Sequence, residues 1–139
     1  MSSPSEIVAF LRARLDEDEQ AARDTAYSPA AAIEDSWSVR QQDRRDDMSW
    51  ALYSQGKYLK VTELNEADAR HIARHDPARV LEDVKSKRSI VDAYVKWSAL
   101  PQAKIADHKD GFAAGLLAAV EALAATYSDH PDYEPGWRQ

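Results

Sequence analysis

His71 and His75 stand four residues apart, the spacing that puts two imidazoles on one side of a helix and within reach of a single metal ion. They belong to the segment His71-Ile-Ala-Arg-His75-Asp76-Pro77-Ala-Arg-Val80-Leu81, which joins the end of one helix to the start of the next. A zinc site needs a third and usually a fourth ligand. Asp68, His108 and His130 are the candidates, and the glutamate of the metalloprotease pattern does not stand between the two histidines. The plainer reading carries more weight: both lie near a helix C-terminus, where the dipole favours a partly protonated imidazole.

Carboxylates recur at three-residue spacing in Asp16-Glu-Asp-Glu19 and in Glu63-Leu-Asn-Glu66, a pattern seen in the magnesium-binding helices of all-helical nucleotide pyrophosphohydrolases. Magnesium needs such oxygens to converge from several helices. Among 24 acidic residues the spacing also arises by chance, and a charge run of this kind is ordinarily a solvated helix face. Asp18 differs, because it continues the phase of Leu11 and Leu15 and so faces a neighbour. Arg88 falls among the apolar positions of the central helix, so an Asp18–Arg88 ion pair is the first expectation and an active site the second. With four glycines and no nucleophile elbow, phosphate-cradling loops and serine hydrolysis drop out. The bases Arg70, Arg74, Arg79, Lys85, Lys87 and Arg88 are interleaved with Asp68, Asp76, Glu82, Asp83 and Asp92, which describes a mixed helix surface better than a nucleic-acid footprint.

The elements that must position these groups follow from the apolar spacing. Ile7, Val8, Leu11 and Leu15 mark a helix over 5–25 capped by Ser5, with Arg12, Arg14, Glu17 and Glu19 outside. Tyr27-Ser-Pro29 ends it, and Ala30 to Asp35 reads as a linker or short turn. From 36 to 61 the period becomes two around Trp37, Val39, Trp50, Leu52, Tyr58, Leu59 and Val61, with a turn at Gln55-Gly56. That predicts a small antiparallel hairpin or three-stranded sheet inserted after the first helix. Its charge-dense loop, Gln41 to Asp47, reads as mobile. Trp37, Trp50, Tyr53 and Tyr58 offer either a binding face or cross-strand aromatic packing.

Helices are expected over 63–75, 77–98 and 110–127. Asp76 caps the second of these and Pro77 takes its first position. Val80, Leu81, Val84, Val91 and Val95 form one stripe on it, and Ile90, Tyr94 and Trp97 a second. Gly115 and the alanines of the last helix would admit a neighbouring backbone. Residues 128–139 hold two prolines and a glycine, so they form a tail that docks through Tyr133 and Trp137. The fold class is therefore α+β, mainly α, with about four helices in a single domain over 1–139.

Composition narrows function further. The chain has 139 residues, 44% hydrophobic and 30% charged, which fits one globular domain. A formal charge of -6 opposes phosphate backbones, making nucleic acid a minority reading. The absence of cysteine removes disulfides, zinc ribbons and thiol nucleophiles. Residues Met1 to Glu6 show no basic segment followed by an apolar one, and no window holds the ~18 apolar residues of a membrane span, so the expectation is a cytoplasmic protein without membrane contact.

Three passages are similar to a known family: Ile7-Val-Ala-Phe-Leu-Arg-Ala-Arg-Leu-Asp-Glu-Asp-Glu-Gln-Ala-Ala-Arg23; His71 to Leu81 with Lys87-Arg88-Ser-Ile90; and Tyr127-Ser-Asp-His-Pro-Asp-Tyr133 with Trp137. They resemble a group of small uncharacterised proteins, a domain of unknown function in actinobacteria and their phages. The resemblance implies no activity. Many relatives carry cysteine pairs before the last helix; this chain has none, so no role of theirs is carried over.

The leading expectation is a non-enzymatic interaction module, an accessory protein of phage or mobile-element origin that binds a protein partner or itself, with no cofactor. The binding candidates are His71, His75, Asp18, Arg88, Trp37 and Trp137, without a catalytic or metal assignment. The alternatives are a metal-dependent hydrolase of small phosphate compounds using His71, His75 and nearby carboxylates, and a nucleic-acid-binding accessory protein.

Overall fold

The computed structural model describes residues 3–25, 35–42, 49–100 and 109–138. In chain order they form α1 (Pro4–Thr25), β1 (Trp37–Gln41), β2 (Trp50–Ser54), β3 (Tyr58–Leu64), α2 (Glu66–Ala73), α3 (Pro77–Ser98) and α4 (Lys109–Ala124), then 3₁₀ turns at Ala125–Tyr127 and Pro135–Trp137. This is an α+β fold, mainly α, with a three-stranded antiparallel sheet between the first helix and the later ones. Most of the linker 30–35, the loop tip 43–48 and His108 lie outside the described residues. No helix among the described residues is long and apolar enough to cross a membrane.

The chain divides into two compact units, one of residues 1–17 with 84–139 and one of residues 18–83. In the first, hereafter the terminal unit, α1 begins at Pro4, one residue before the expected bound. The Ser3 carbonyl accepts the amides of Glu6 and Ile7, and the Ser3 amide donates to the Glu6 carboxylate. This is one limb of a capping box, so Ser3 rather than Ser5 is the cap. The reason is Pro4: its missing donor costs nothing at the first helical position. Ile7, Leu11, Leu15, Val84, Val91 and Val120 are buried to within 2%. Each contributes roughly 1.5–3 kcal/mol by leaving water.

On α3, Tyr94 of the second stripe is buried, whereas Val95 of the first is 37% exposed and leaves the stripe expected to be covered. The ring of Tyr94 covers more apolar area than an isopropyl group, and the two positions differ by one helical step of about 100°. A Cβ added at Gly115 on α4 would meet nothing within 4 Å, so no described neighbour uses the close approach that glycine permits.

In the other unit, hereafter the sheet unit, β2 lies between β1 and β3. Trp37, Val39 and Gln41 pair with Ser54, Leu52 and Trp50, so these six side chains share one face. Helix α2 packs on β1 and β2, with the Arg70 guanidinium 5.5 Å from the Trp50 ring centroid. The β2–β3 turn uses left-handed backbone at Gln55 (φ 50°) and Gly56 (φ 67°), and Arg40 donates to the Gly56 carbonyl at 2.7 Å.

The third strand runs on to Leu64, beyond the expected limit of 61, with register slips between Trp50 and Leu52 and between Leu52 and Tyr53 of β2. Glu63 has φ 62° beside one of these slips. Helix α2 consequently starts at Glu66, not 63, because the Asn65 side chain accepts the Asp68 amide and caps it there.

Candidate interaction site

Asp76 fixes the geometry of the sheet unit's most featured hollow. Its Oδ1 accepts the Arg79 amide at 2.8 Å, capping α3 as the Asp-Pro sequence predicts, and its Oδ2 accepts the Trp37 amide at 3.2 Å. Nearby, the Asp35 carbonyl accepts the Ala78 amide, and the fully buried Asp35 carboxylate accepts the Ser54 hydroxyl. The start of β1 is thereby tied to the start of α3.

The hollow has a volume of about 280 Å³. Asp18, Ala21, Ala22 and Thr25 of α1 line it together with Trp37, His75, Pro77 and Val80. Trp37 Nε1 is buried and has no hydrogen-bond acceptor among the described residues. Lys60 Nζ lies 5.9 Å from the Trp37 ring centroid and donates to the Thr25 carbonyl at 2.6 Å, where the C-terminal end of α1 favours a cation. The hollow is thus lined by an indole, an imidazole and a carboxylate together with small apolar side chains.

Three of the six residues singled out in the sequence, Asp18, Trp37 and His75, meet here. His71 adjoins through its ring, 5.0 Å from that of His75 and tilted by 59°. Arg88 and Trp137 belong to the terminal unit. There Arg88 donates to Asp16, and Trp137 is buried 5.0 Å from the Phe10 ring.

In the two acidic segments several carboxylates are paired with arginines: Glu17 with Arg14, Glu19 with Arg23 and Glu66 with Arg70, at 2.7–2.8 Å. Among the described residues no three His, Asp or Glu side chains are grouped to hold a metal ion. The rings of the sheet pair with cations in turn, Arg40 lying 4.9 Å from the Tyr53 ring and Arg70 against Trp50.

Sequence reasoning placed Arg14 on the outer face of α1, but it is 8% exposed. Its guanidinium lies 5.3 Å from the Phe10 ring, donates to the His130 imidazole and to Glu17, and is 3.9 Å from Asp132. Phe10 also meets Tyr127, Tyr133 and Trp137 at 5.0–6.4 Å. The readable signal was the four-residue spacing of Phe10 and Arg14, which puts ring and guanidinium on one face. In the same unit, burial and then the negative charge of Glu121 raise the pKa of Tyr94 above its ordinary value.

Fold and hollow define a small, mainly helical α+β protein with a polar-edged surface hollow. The chain belongs to a family of unknown function, DUF6221, whose model matches residues 4–139 and so runs through both units. No curated protein and no solved structure matches it.

Proposed function

We propose that the protein is a non-enzymatic interaction module, a cytoplasmic accessory protein of phage or mobile-element origin, and that the hollow at Trp37 receives a protein partner. The observation that carries this is the unmatched indole N–H of Trp37 beside Asp18 and His75. A buried donor without an acceptor costs about 1–3 kcal/mol, and a partner's carbonyl or carboxylate would recover it. Trp37, Asp18 and His75 bring an indole, a carboxylate and an imidazole to one hollow, which suits recognition of a polar peptide surface. Asp18 and the two histidines would also be the first groups to serve a hydrolase, so the two readings are separable at the same residues.

The test is quantitative capture from a lysate of the source organism, with partner affinity then measured for Trp37→Phe, which deletes the N–H and keeps most of the ring area. A partner lost at least several-fold in Trp37→Phe and in Asp18→Asn, with unchanged thermal melts, supports the reading. A partner indifferent to both substitutions overturns it. So does zinc- or manganese-dependent phosphate release that disappears in His71→Ala and His75→Ala.

A further inference from the structure

The two edges of the sheet differ. The pairing of β3 with β2 is broken by register slips, whereas β1 pairs with β2 without interruption from Trp37 to Gln41. That pairing also fixes where each backbone group of β1 points. The Gln55 amide donates to the Ser36 carbonyl and the Gln42 amide to the Ser49 carbonyl, so the even-numbered residues bond β2 and the odd-numbered ones turn their N–H and C=O outward. Trp37 agrees, since its amide leaves the sheet and donates to Asp76. The next outward residue is Val39, and no described residue hydrogen-bonds its N–H or its C=O.

A hollow of about 240 Å³ adjoins it, lined by Val39, Arg70, Ala73 and Arg74. The Val39 side chain shares a face of the sheet with Trp37 and Trp50, the face on which α2 packs, so the hollow is bounded by the edge strand and the C-terminal part of α2. Arg70 is held by Glu66 and lies against Trp50. The Arg74 guanidinium has no ion pair or hydrogen bond among the described residues. Its full positive charge exceeds the roughly half negative charge at the end of a helix.

We propose that β1 accepts an extended acidic segment of a protein partner as a fourth strand, paired antiparallel through the Val39 N–H and C=O, with a Glu or Asp side chain opposite Val39 meeting the Arg74 guanidinium. In that register the residue opposite Val39 turns its own N–H to β1 and its side chain to the α2 face. Main-chain bonds then hold the segment and alternate side chains select it. An acidic segment is specified by charge complementarity: two arginines and no carboxylate line the hollow, so a basic segment would meet like charge. The inference rests on the interaction-module reading and names partner chemistry at a second surface of the sheet unit.

The experiment is fluorescence anisotropy of a fluorescein-labelled octapeptide of alternating Thr and Glu, titrated with the intact protein at low salt. Beside it run the same peptide with Lys for Glu and two versions N-methylated at every Glu or at every Thr. The expected result is saturable binding of the Thr-Glu peptide, none of the Thr-Lys peptide, loss on methylation at Glu and retention on methylation at Thr. Arg74→Gln should weaken binding about fivefold, whereas Lys57→Gln, which removes the same charge at the β2–β3 turn, should leave it unchanged. Val39→Pro deletes the outward N–H and spares the β1–β2 bonds, so it should abolish binding while circular dichroism stays native. Where that variant does not fold, the methylated peptides carry the test.

No saturation to about 1 mM, equal or greater loss on methylation at Thr, or equal weakening by Lys57→Gln overturns the proposal. Dimerisation in analytical ultracentrifugation that Val39→Pro abolishes overturns the acidic partner in favour of a second copy of the chain. If strand addition fails while a partner sensitive to Trp37→Phe remains, the edge alone is wrong; if no such partner exists either, the module reading falls with it.

Discussion

The backbone amide of Trp37 donates to the carboxylate of Asp76, 3.2 Å away across 39 residues of chain, and the same carboxylate caps α3 through the Arg79 amide. One side chain therefore both starts a helix and anchors a strand. Asp76→Ala should lower the unfolding free energy by about 2–5 kcal/mol, the sum of a lost cap and a lost hydrogen bond to a charged group, whereas Asp76→Asn should retain most of it. Urea unfolding of the three proteins measures this. Equal midpoints for wild type and Asp76→Ala would mean that solvent replaces both bonds without cost.

Arg14 joins the tail to α1 by stacking on Phe10 and donating to His130. Arg14→Ala removes the stack, the bond and the buried stem together. It should destabilise the terminal unit by about 1–3 kcal/mol and accelerate amide exchange across residues 128–138 first. Phe10→Ala should be costlier, about 3–5 kcal/mol, because a large cavity adds to the lost contacts. Exchange mass spectrometry showing the tail unaffected in both variants would refute this role.

Tyr94 gives the protein an alkaline limit. Its pKa is raised by burial and then by Glu121, so the folded state holds a proton that the unfolded chain has begun to release near pH 10. The associated stability is complete below the unfolded tyrosine pKa of about 10 and is lost as pH rises through the folded value. Denaturant midpoints should therefore fall above pH 10 in wild type and fall less in Tyr94→Phe. Parallel pH profiles for the two proteins would show that another group sets the limit.

His71 and His75 have rings 5.0 Å apart but no grouped third acidic or imidazole ligand among the described residues. Equimolar zinc should accordingly shift the melting temperature by less than about 1 °C. A rise of several degrees that vanishes in His75→Ala would establish a metal site and revive the hydrolase alternative.

Much of the architecture was legible because local chemistry agrees with it. Asp76-Pro77 announces a helix start, Gln55-Gly56 a turn, and the three- and four-residue recurrence of Leu11, Leu15 and their neighbours a buried face. What was not legible depends on tertiary contact. Arg14 is a polar residue whose burial follows only from the arrival of His130 and its aromatic neighbours, 116 residues later. Tyr94 and Val95 are adjacent, and only the packing decides which turns inward. Likewise Asp18, Trp37 and His75 were each readable as unusual, but their meeting in one hollow requires α1, β1 and the α2–α3 junction to be placed first. The end of β3 was misjudged because Glu63 takes a left-handed φ that no periodicity encodes.

That third strand has a further consequence. Leu59 and Val61 are exposed on it, at 52% and 40%, and an outer strand with greasy side chains ordinarily invites stacking into fibrils. Two register slips and the left-handed Glu63 interrupt its ladder of donors and acceptors, so a flat incoming strand finds no continuous row to zip onto. The same kinks that blurred the strand in the sequence keep the sheet from growing at that edge.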